Sequence, residues 1–322
     1  MTTCLENVIC EVCASADFTV SYFKNDKFQI EKEPFRVVSC AGCGLSYINP
    51  RPALSEIGKF YPEHYQWKED PAGSAPGIAA RLEKLYRYHQ LASEINRLRK
   101  NIPFPAKILD IGCGTGDRLE LLRKAGCDVY GVETSDQALH AVNHFKLRVF
   151  KGLLEDARYE SNQFDIITLY NVLEHIHSPR KILKEIRRIL KPGGRLVVEV
   201  PNNRSLQARF FKSRWAAADV PRDLYYFDAS TLTKLLQASG FEVQKIDYNT
   251  DFWHPPTLVI SLFPDLDPQL IWAKDKVQGN TLLSRVFWGL WTIALAPPAY
   301  LENKIGRGSL MTCFTVKTGE KI

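Results

Sequence analysis

The sequence lacks an apolar run long enough to cross a bilayer. Its most apolar stretch, "VFWGLWTIALAPPAYL" (Val286–Leu301), is shorter than a spanning helix and is broken by Pro297 and Pro298. A buried or lid helix is expected there, with contact to a membrane surface as the alternative. The opening "MTTCLENVIC" has no basic start leading into an apolar core, so no secretory leader is read and a cytoplasmic protein is expected. Charge of one sign is also scarce: 42 Lys+Arg against 36 Asp+Glu leave +6 over 322 residues. That permits an anionic substrate and does not demand nucleic acid. A disulfide framework is missing as well. Of eight cysteines, four form two C-x-x-C pairs, Cys10/Cys13 and Cys40/Cys43, while Cys4, Cys113, Cys127 and Cys313 are scattered, which fits a reducing compartment. No internal repeat is visible.

What is present falls into three parts. Residues 1–52 carry the paired cysteines around "FTVSYF" and "KFQIEKEPFRVVSC", aromatic and β-branched runs that predict a small hairpin. Residues 53–105 hold a flexible segment, "EDPAGSAPG" (Glu69–Gly77), and then a helix with Leu82, Leu85, Ala92, Ile95 and Leu98 on one face. Residues 106–322 alternate strand and helix. Strands are expected at Ile108–Ile111, Val129–Val132, Arg148–Phe150, Phe164–Leu169 and Arg195–Val200. Helices are expected at Arg118–Lys124, Asp136–Phe145, Arg180–Leu190 and Ser230–Gly240, with further strands in "FEVQKIDYN" and Leu310–Lys317. Such alternation predicts a doubly wound α/β sheet. Residues 250–307 form a long insertion before the last strand, of the kind used as a lid or interaction surface.

"ILDIGCGTGD" (Ile108–Asp117) is the sharpest feature. A strand ends at three alternate glycines, Gly112, Gly114 and Gly116, and a helix restarts. A dinucleotide turn needs a further glycine where Asp117 stands, and a carboxylate there repels a pyrophosphate. The same carboxylate is harmless beside a ligand carrying an ammonium and a sulfonium. Glu133 ends the next strand, where a carboxylate accepts from both hydroxyls of a ribose. Glu155 or Asp156, after the third strand, is placed to accept from an adenine amino group.

"ILDIGCGTG", "GVETS", "FDIITLYNVLEHIHSP" and "ILKPGGRLVVEVPN" are similar, in order and spacing, to class I S-adenosylmethionine (SAM)-dependent methyltransferases, and most of all to the ubiquinone-biosynthesis O-methyltransferase group. The resemblance covers Lys107–Asn202. It implies a seven-stranded sheet whose last strand is antiparallel, and SAM held by Asp110, Gly112, Gly114, Gly116, Glu133, Glu155, Asp156, Tyr170 and Asn171. The N-terminal "CEVC … CAGCGLSYINPRP" resembles the zinc ribbon of a subset of these enzymes linked to sugar and polysaccharide modification. Two C-x-x-C pairs offer four soft ligands, so Cys10, Cys13, Cys40 and Cys43 are expected to hold one structural Zn²⁺. "VPRDLYYF" (Val220–Phe227) resembles a substrate-side motif of that subset, with Asp223 where histidine is usual.

Methyl transfer from a sulfonium needs alignment and exclusion of water, plus a base if the acceptor is a hydroxyl. His175 is the candidate general base, since imidazole accepts a proton near neutral pH. Trp215, Arg222, Tyr225 and Tyr226 are expected to line the acceptor side. Base N-methylation is disfavoured by Tyr170-Asn171-Val172-Leu173 in place of Asn/Asp-Pro-Pro-aromatic, and pyrimidine C5 methylation by the absence of cysteine between Cys127 and Cys313. Asn171-x-x-Glu174-His175 replaces the first carboxylate of the E-x-x-E-H of some quinone O-methyltransferases, so no catalytic metal is expected. The expected function is O-methylation of a sugar or related hydroxyl on a small-molecule or glycan acceptor. The basic run Lys181, Lys184, Arg187, Arg188 and Lys191 is read as a solvated helix face; the alternative is an RNA methyltransferase that uses the zinc ribbon to hold RNA. A non-catalytic SAM-fold protein is a third class, disfavoured by the intact glycine turn and Glu133.

Overall fold

A computed structural model describes residues 3–61, 78–248, 254–267, 269–270 and 282–319. The Glu69–Gly77 segment and parts of the 250–307 insertion lie outside the described residues, as do the side chains of Leu82 and Leu85. The strands are β1 (Leu5–Glu6), β2 (Phe18–Lys24), β3 (Phe35–Cys40), β4 (Ser46–Ile48), β5 (Arg51–Pro52), β6 (Lys107–Ile111), β7 (Asp128–Glu133), β8 (Arg148–Lys151), β9 (Phe164–Tyr170), β10 (Leu190–Pro201), β11 (Tyr225–Tyr226), β12 (Phe241–Asp247) and β13 (Leu310–Lys317). The helices are α1 (Ile78–Asn101), α2 (Asp117–Lys124), α3 (Gln137–Phe145), α4 (Pro179–Ile189), α5 (Leu206–Phe211), α6 (Ala229–Ala238), α7 (His254–Leu262), α8 (Leu282–Ala294) and α9 (Ala296–Lys304).

The chain divides into two compact units. One comprises Ala75–Val200, Leu232–Ile246 and Thr312–Ile322. Its seven-stranded sheet has the order β12-β13-β10-β9-β6-β7-β8 and one antiparallel strand. β6 is paired in parallel with β7 on one side and β9 on the other. The strand order therefore reverses beside β6, and in open α/β sheets the crevice at such a point receives the ligand. The inner strands are mostly apolar, as expected of a parallel sheet covered by helices, with Asp110, Thr168 and Glu199 as buried polar exceptions. Ile95 and Leu98 of α1, and Ile102 just beyond its end, pack with Ile108, Leu119, Leu122 and Phe314. β10 starts at Leu190, earlier than expected, with a register shift before Arg195 where "KPGG" turns.

The other unit comprises Met1–Ser74, Pro201–Thr231 and Asp247–Met311. It is built on a four-stranded sheet, β11-β4-β3-β2. Tyr225 and Tyr226 pair with Tyr47 and Ser46, so the N-terminal sheet takes its edge strand from far down the chain. "KFQIEK" is a turn rather than part of the hairpin, because Asp26 accepts from the backbone amides of Phe28 and Ile30 and holds the loop back. Phe35, Val37, Ile48, Phe60, Trp215, Val220 and Tyr226 form the core.

Candidate cofactor turn and cysteine cluster

The glycine turn leaves β6 at the reversal point. Gly112, Gly114 and Gly116 have φ of 72°, 55° and 84°, a region glycine enters without penalty. Close packing makes a second demand. A Cβ on Gly112 would lie 2.4 Å from Val172 Cγ2, and one on Gly116 would lie 2.7 Å from Ala141 Cβ. The turn after β9 thus presses against the turn after β6, and Gly116 opens α2.

Glu133 ends β7 and is half-buried. Its carboxylate accepts from the amide of Gly114 at 2.9 Å and from the amide of Ser135 at 2.8 Å. It ties the glycine turn to the strand end where a ribose is bound in such sheets. Asp110 is fully buried and accepts from Thr168 Oγ1 at 2.6 Å. Burial raises its pKa, and Arg118 opposes the rise with Nη1 at 3.7 Å. Arg118 also pairs with Glu94 at 3.0 Å and lies 3.8 Å from the centre of the Tyr170 ring. Asp110 and Tyr170 are therefore parts of an interior network beneath the turn. Glu155 and Asp156 follow β8; Glu155 pairs with Lys181 at 3.4 Å and Asp156 is exposed.

Asn171 sits at φ 53°, a strained conformation for a non-glycine residue. Its amide donates to the Glu199 carbonyl at 2.9 Å, and its Nδ2 donates to Glu199 Oε1 at 3.4 Å. Glu199 also accepts from Thr312 Oγ1 at 2.7 Å. This carboxylate was not anticipated; the signal for it is a lone acid inside the apolar strand "RLVVEVP". Burial, with help from Glu94, pushes its pKa up to about 7. A raised carboxyl pKa contributes stability that is fully present below about 4.5 and is lost as pH rises through about 7. Glu199→Gln is therefore expected to flatten the stability–pH curve between those values, as thermal unfolding across that range will read. An unchanged slope would contradict the assignment.

His175 closes a 3-10 turn, Leu173–His175, and is half-buried. Its amide donates to the Val172 carbonyl at 3.0 Å. Val172 packs against Gly112, and His175 follows Val172 by three residues.

Trp215, Arg222, Tyr225 and Tyr226 lie in the other unit, and all four are buried. Arg222 is fully enclosed. Its guanidinium donates to Asp26 at 2.8 Å, to Asp219 at 2.7 and 3.0 Å, and to the carbonyls of Phe60 and Val220. Tyr225 accepts from Arg51 at 2.7 Å. These contacts give Arg222 an interior structural role. Of the basic run, Lys181, Arg188 and Lys191 are ion-paired with Glu155, Glu185 and Asp165, and Arg187 packs on Gly240.

The sulfurs of Cys10, Cys13, Cys40 and Cys43 lie within 4.8 Å of one another, and two pairs are 3.4 Å apart. Tetrahedral zinc with Zn–S of about 2.3 Å places its sulfurs about 3.8 Å apart, so the cluster fits. Amides of Val12 and Cys13 face the Cys10 sulfur, and those of Gly42 and Cys43 face Cys40, the donors a thiolate requires. Tyr47 Oη is buried beside the cluster without a hydrogen-bond partner among the described residues. The donor set is consistent with a structural zinc.

A family model described as "Methyltransferase domain" matches residues 83–246, about half of the chain. A ubiquinone biosynthesis O-methyltransferase of Haemophilus ducreyi is 30% identical over 164 residues, covering 48% of this chain and 66% of that protein. One from Roseobacter denitrificans is 32% identical over 159 residues, covering 46% and 63%. The chain thus spans just under two thirds of these relatives' length. A solved SAM-dependent methyltransferase from Archaeoglobus fulgidus is 20% identical with TM-score 0.48, covering 75% of this chain and 100% of that one. The glycine turn at the reversal of the sheet, the acid ending β7 and the family match converge: this chain belongs to the methyltransferase-domain family.

Proposed function

We propose that the enzyme methylates a hydroxyl, on a sugar or another small-molecule or glycan acceptor, with His175 as general base. The observation that carries this is the contact of Val172 with Gly112, because it sets the 171–175 turn against the cofactor turn. The O-methyltransferase names of the relatives support the same reaction type. The local ion pairs of the basic run in α4 and at the start of β10 weigh against RNA, since paired cations release fewer counterions from a phosphate backbone.

Bound SAM supplies an electrophilic methyl group on a sulfonium, and its thioether product leaves without needing an acid. Glu133 would hold the ribose, and the backbone of Gly112–Gly116 would admit the methionine end closely. Glu199 fixes Asn171 at the edge of the site. His175 takes the acceptor's proton as the new carbon–oxygen bond forms. General-base help of this kind contributes about 10²–10⁴-fold. His175→Ala is expected to leave SAM affinity intact and to slow turnover on the acceptor by that factor. The acceptor itself is found by incubating enzyme and labelled SAM with nucleotide sugars, polyprenyl glycans, ubiquinone precursors and RNA, and reading which gains mass. Label in RNA, or a wild-type rate for the variant across pH 6–8, would refute the proposal.

A further inference from the structure

Helix α9 is amphipathic in the inverted sense. Its inward residues are Ala299 and two polar ones: Glu302 and Asn303 are each 5% exposed, and Glu302 accepts from the amide and side chain of Gln207 at 2.9 and 2.8 Å. Its outward residues are apolar, with Tyr300 54%, Leu301 62% and, just beyond its end, Ile305 56% exposed. α8 repeats the pattern. Phe287, Leu290 and Ile293, at i, i+3 and i+6, point out at 49%, 61% and 74%, while Trp291 packs on Phe263 with the rings tilted by 45°. The same unit presents Phe210 on α5 at 78%, and α5 is stitched to α9 through Gln207 and through the Leu206 amide to the Arg307 carbonyl. Water does not favour such a face, and a contiguous apolar patch marks an interaction surface.

Charge decides the occupant. Across Leu206–Arg214 and Phe287–Arg307 the only acid is Glu302, which is buried. The exposed charges there are Arg209, Lys212, Arg214, Lys304 and Arg307, all positive. No described helix is long and apolar enough to cross a membrane. Asp265, two residues from Phe263, is an exposed acid on the same unit, but the charged rim of α5, α8 and α9 among the described residues is cationic, and short helices with apolar residues outward and such a rim match a surface that is apolar within and anionic at its head groups. We propose that α5, α8 and α9 form a monotopic docking face for an anionic lipid bilayer, with Phe210, Leu290, Ile293 and Leu301 entering the acyl boundary. The inference does not depend on which acceptor is methylated.

The test is co-sedimentation of the full chain with phosphatidylglycerol–phosphatidylcholine vesicles and with phosphatidylcholine alone. Wild type should pellet with the anionic vesicles, more weakly with neutral ones, and less at high salt. Ile293→Asp and, separately, Leu301→Asp should each weaken vesicle binding at least about tenfold, because each removes an inserted side chain and places a charge in the interface. Lys304→Glu with Arg307→Glu should remove the preference for anionic lipid. Cooperative thermal unfolding, followed by the emission of buried tryptophan such as Trp215 of the same unit, reports whether each variant is folded; both positions are exposed, so a folded variant is expected for at least one of them. Wild type remaining in the supernatant with both vesicles would overturn the proposal. So would binding that is indifferent to both aspartates, or a dimer that Ile293→Asp dissociates with no lipid binding.

Discussion

Stripping zinc with a chelator is expected to unfold the sheet that carries the cysteines. Cys10 and Cys13 sit on one knuckle, and Cys40 and Cys43 on another at the end of β3. Without a metal, four sulfurs within 4.8 Å would have to ionise together or be left as mutually crowded thiols. Structural zinc in small cysteine sites binds with roughly 10–16 kcal/mol, comparable to or larger than the whole stability of a domain. Trp215 reports the outcome, since it is 1% exposed in a core shared with Phe35 and Val37 of β3. Chelation should release one zinc per chain and shift tryptophan fluorescence to the red. Protein purified under reducing conditions with no zinc by elemental analysis would contradict this, as would zinc release with unchanged emission.

Arg222→Met should cost about 3–5 kcal/mol, the range for removing one member of a buried ion pair. Both Arg222 and Asp26 are 0% exposed, and Asp219 sits on the same guanidinium. Without that cation, Asp26 loses its charge partner in the interior. Burial alone would raise Asp219, yet Lys27, Arg222 and Lys24 together hold its carboxyl well below the usual range. A depressed carboxyl pKa contributes stability present above about pH 4 and lost as pH falls, so the wild type should lose this contribution in acid and the variant should have less to lose. Denaturant unfolding at neutral and acidic pH checks both statements. A variant as stable as wild type, with an altered KM for the acceptor, would restore Arg222 to the ligand-facing role.

The two roles of Arg222 show where the sequence was legible. Glycine alternation, the acid ending β7 and the strand–helix rhythm are local signals, and the β6–β9 sheet follows from them within a residue or two at each end. The C-x-x-C pairs are likewise local, and a hairpin brings them together. Arg222 is different. Its partner Asp26 lies 196 residues away, and no local pattern distinguishes an arginine that binds a ligand from one that closes a core. The pairing of β11 with β4 is hidden for the same reason, because "YY" in a short edge strand carries no period. Glu199 was visible as an acid in an apolar strand, but its bond to Asn171 depends on how β9 and β10 align. The outward apolar face of α8 and α9 reads in sequence as an apolar run. Which side faces out appears only once Glu302 is seen paired with Gln207.

Glu133 is the residue on which the cofactor assignment turns, and titration calorimetry of SAM into wild type and Glu133→Ala is the direct measurement. Wild type should bind one SAM per chain. The variant loses both the ribose acceptor and the clamp on the Gly114 amide, and should bind at least about tenfold more weakly, since charge-assisted hydrogen bonds contribute about 1.5–3 kcal/mol each. Its thermal unfolding should remain cooperative. Equal affinity for SAM in the two proteins would contradict the placement of the cofactor over Gly112–Gly116.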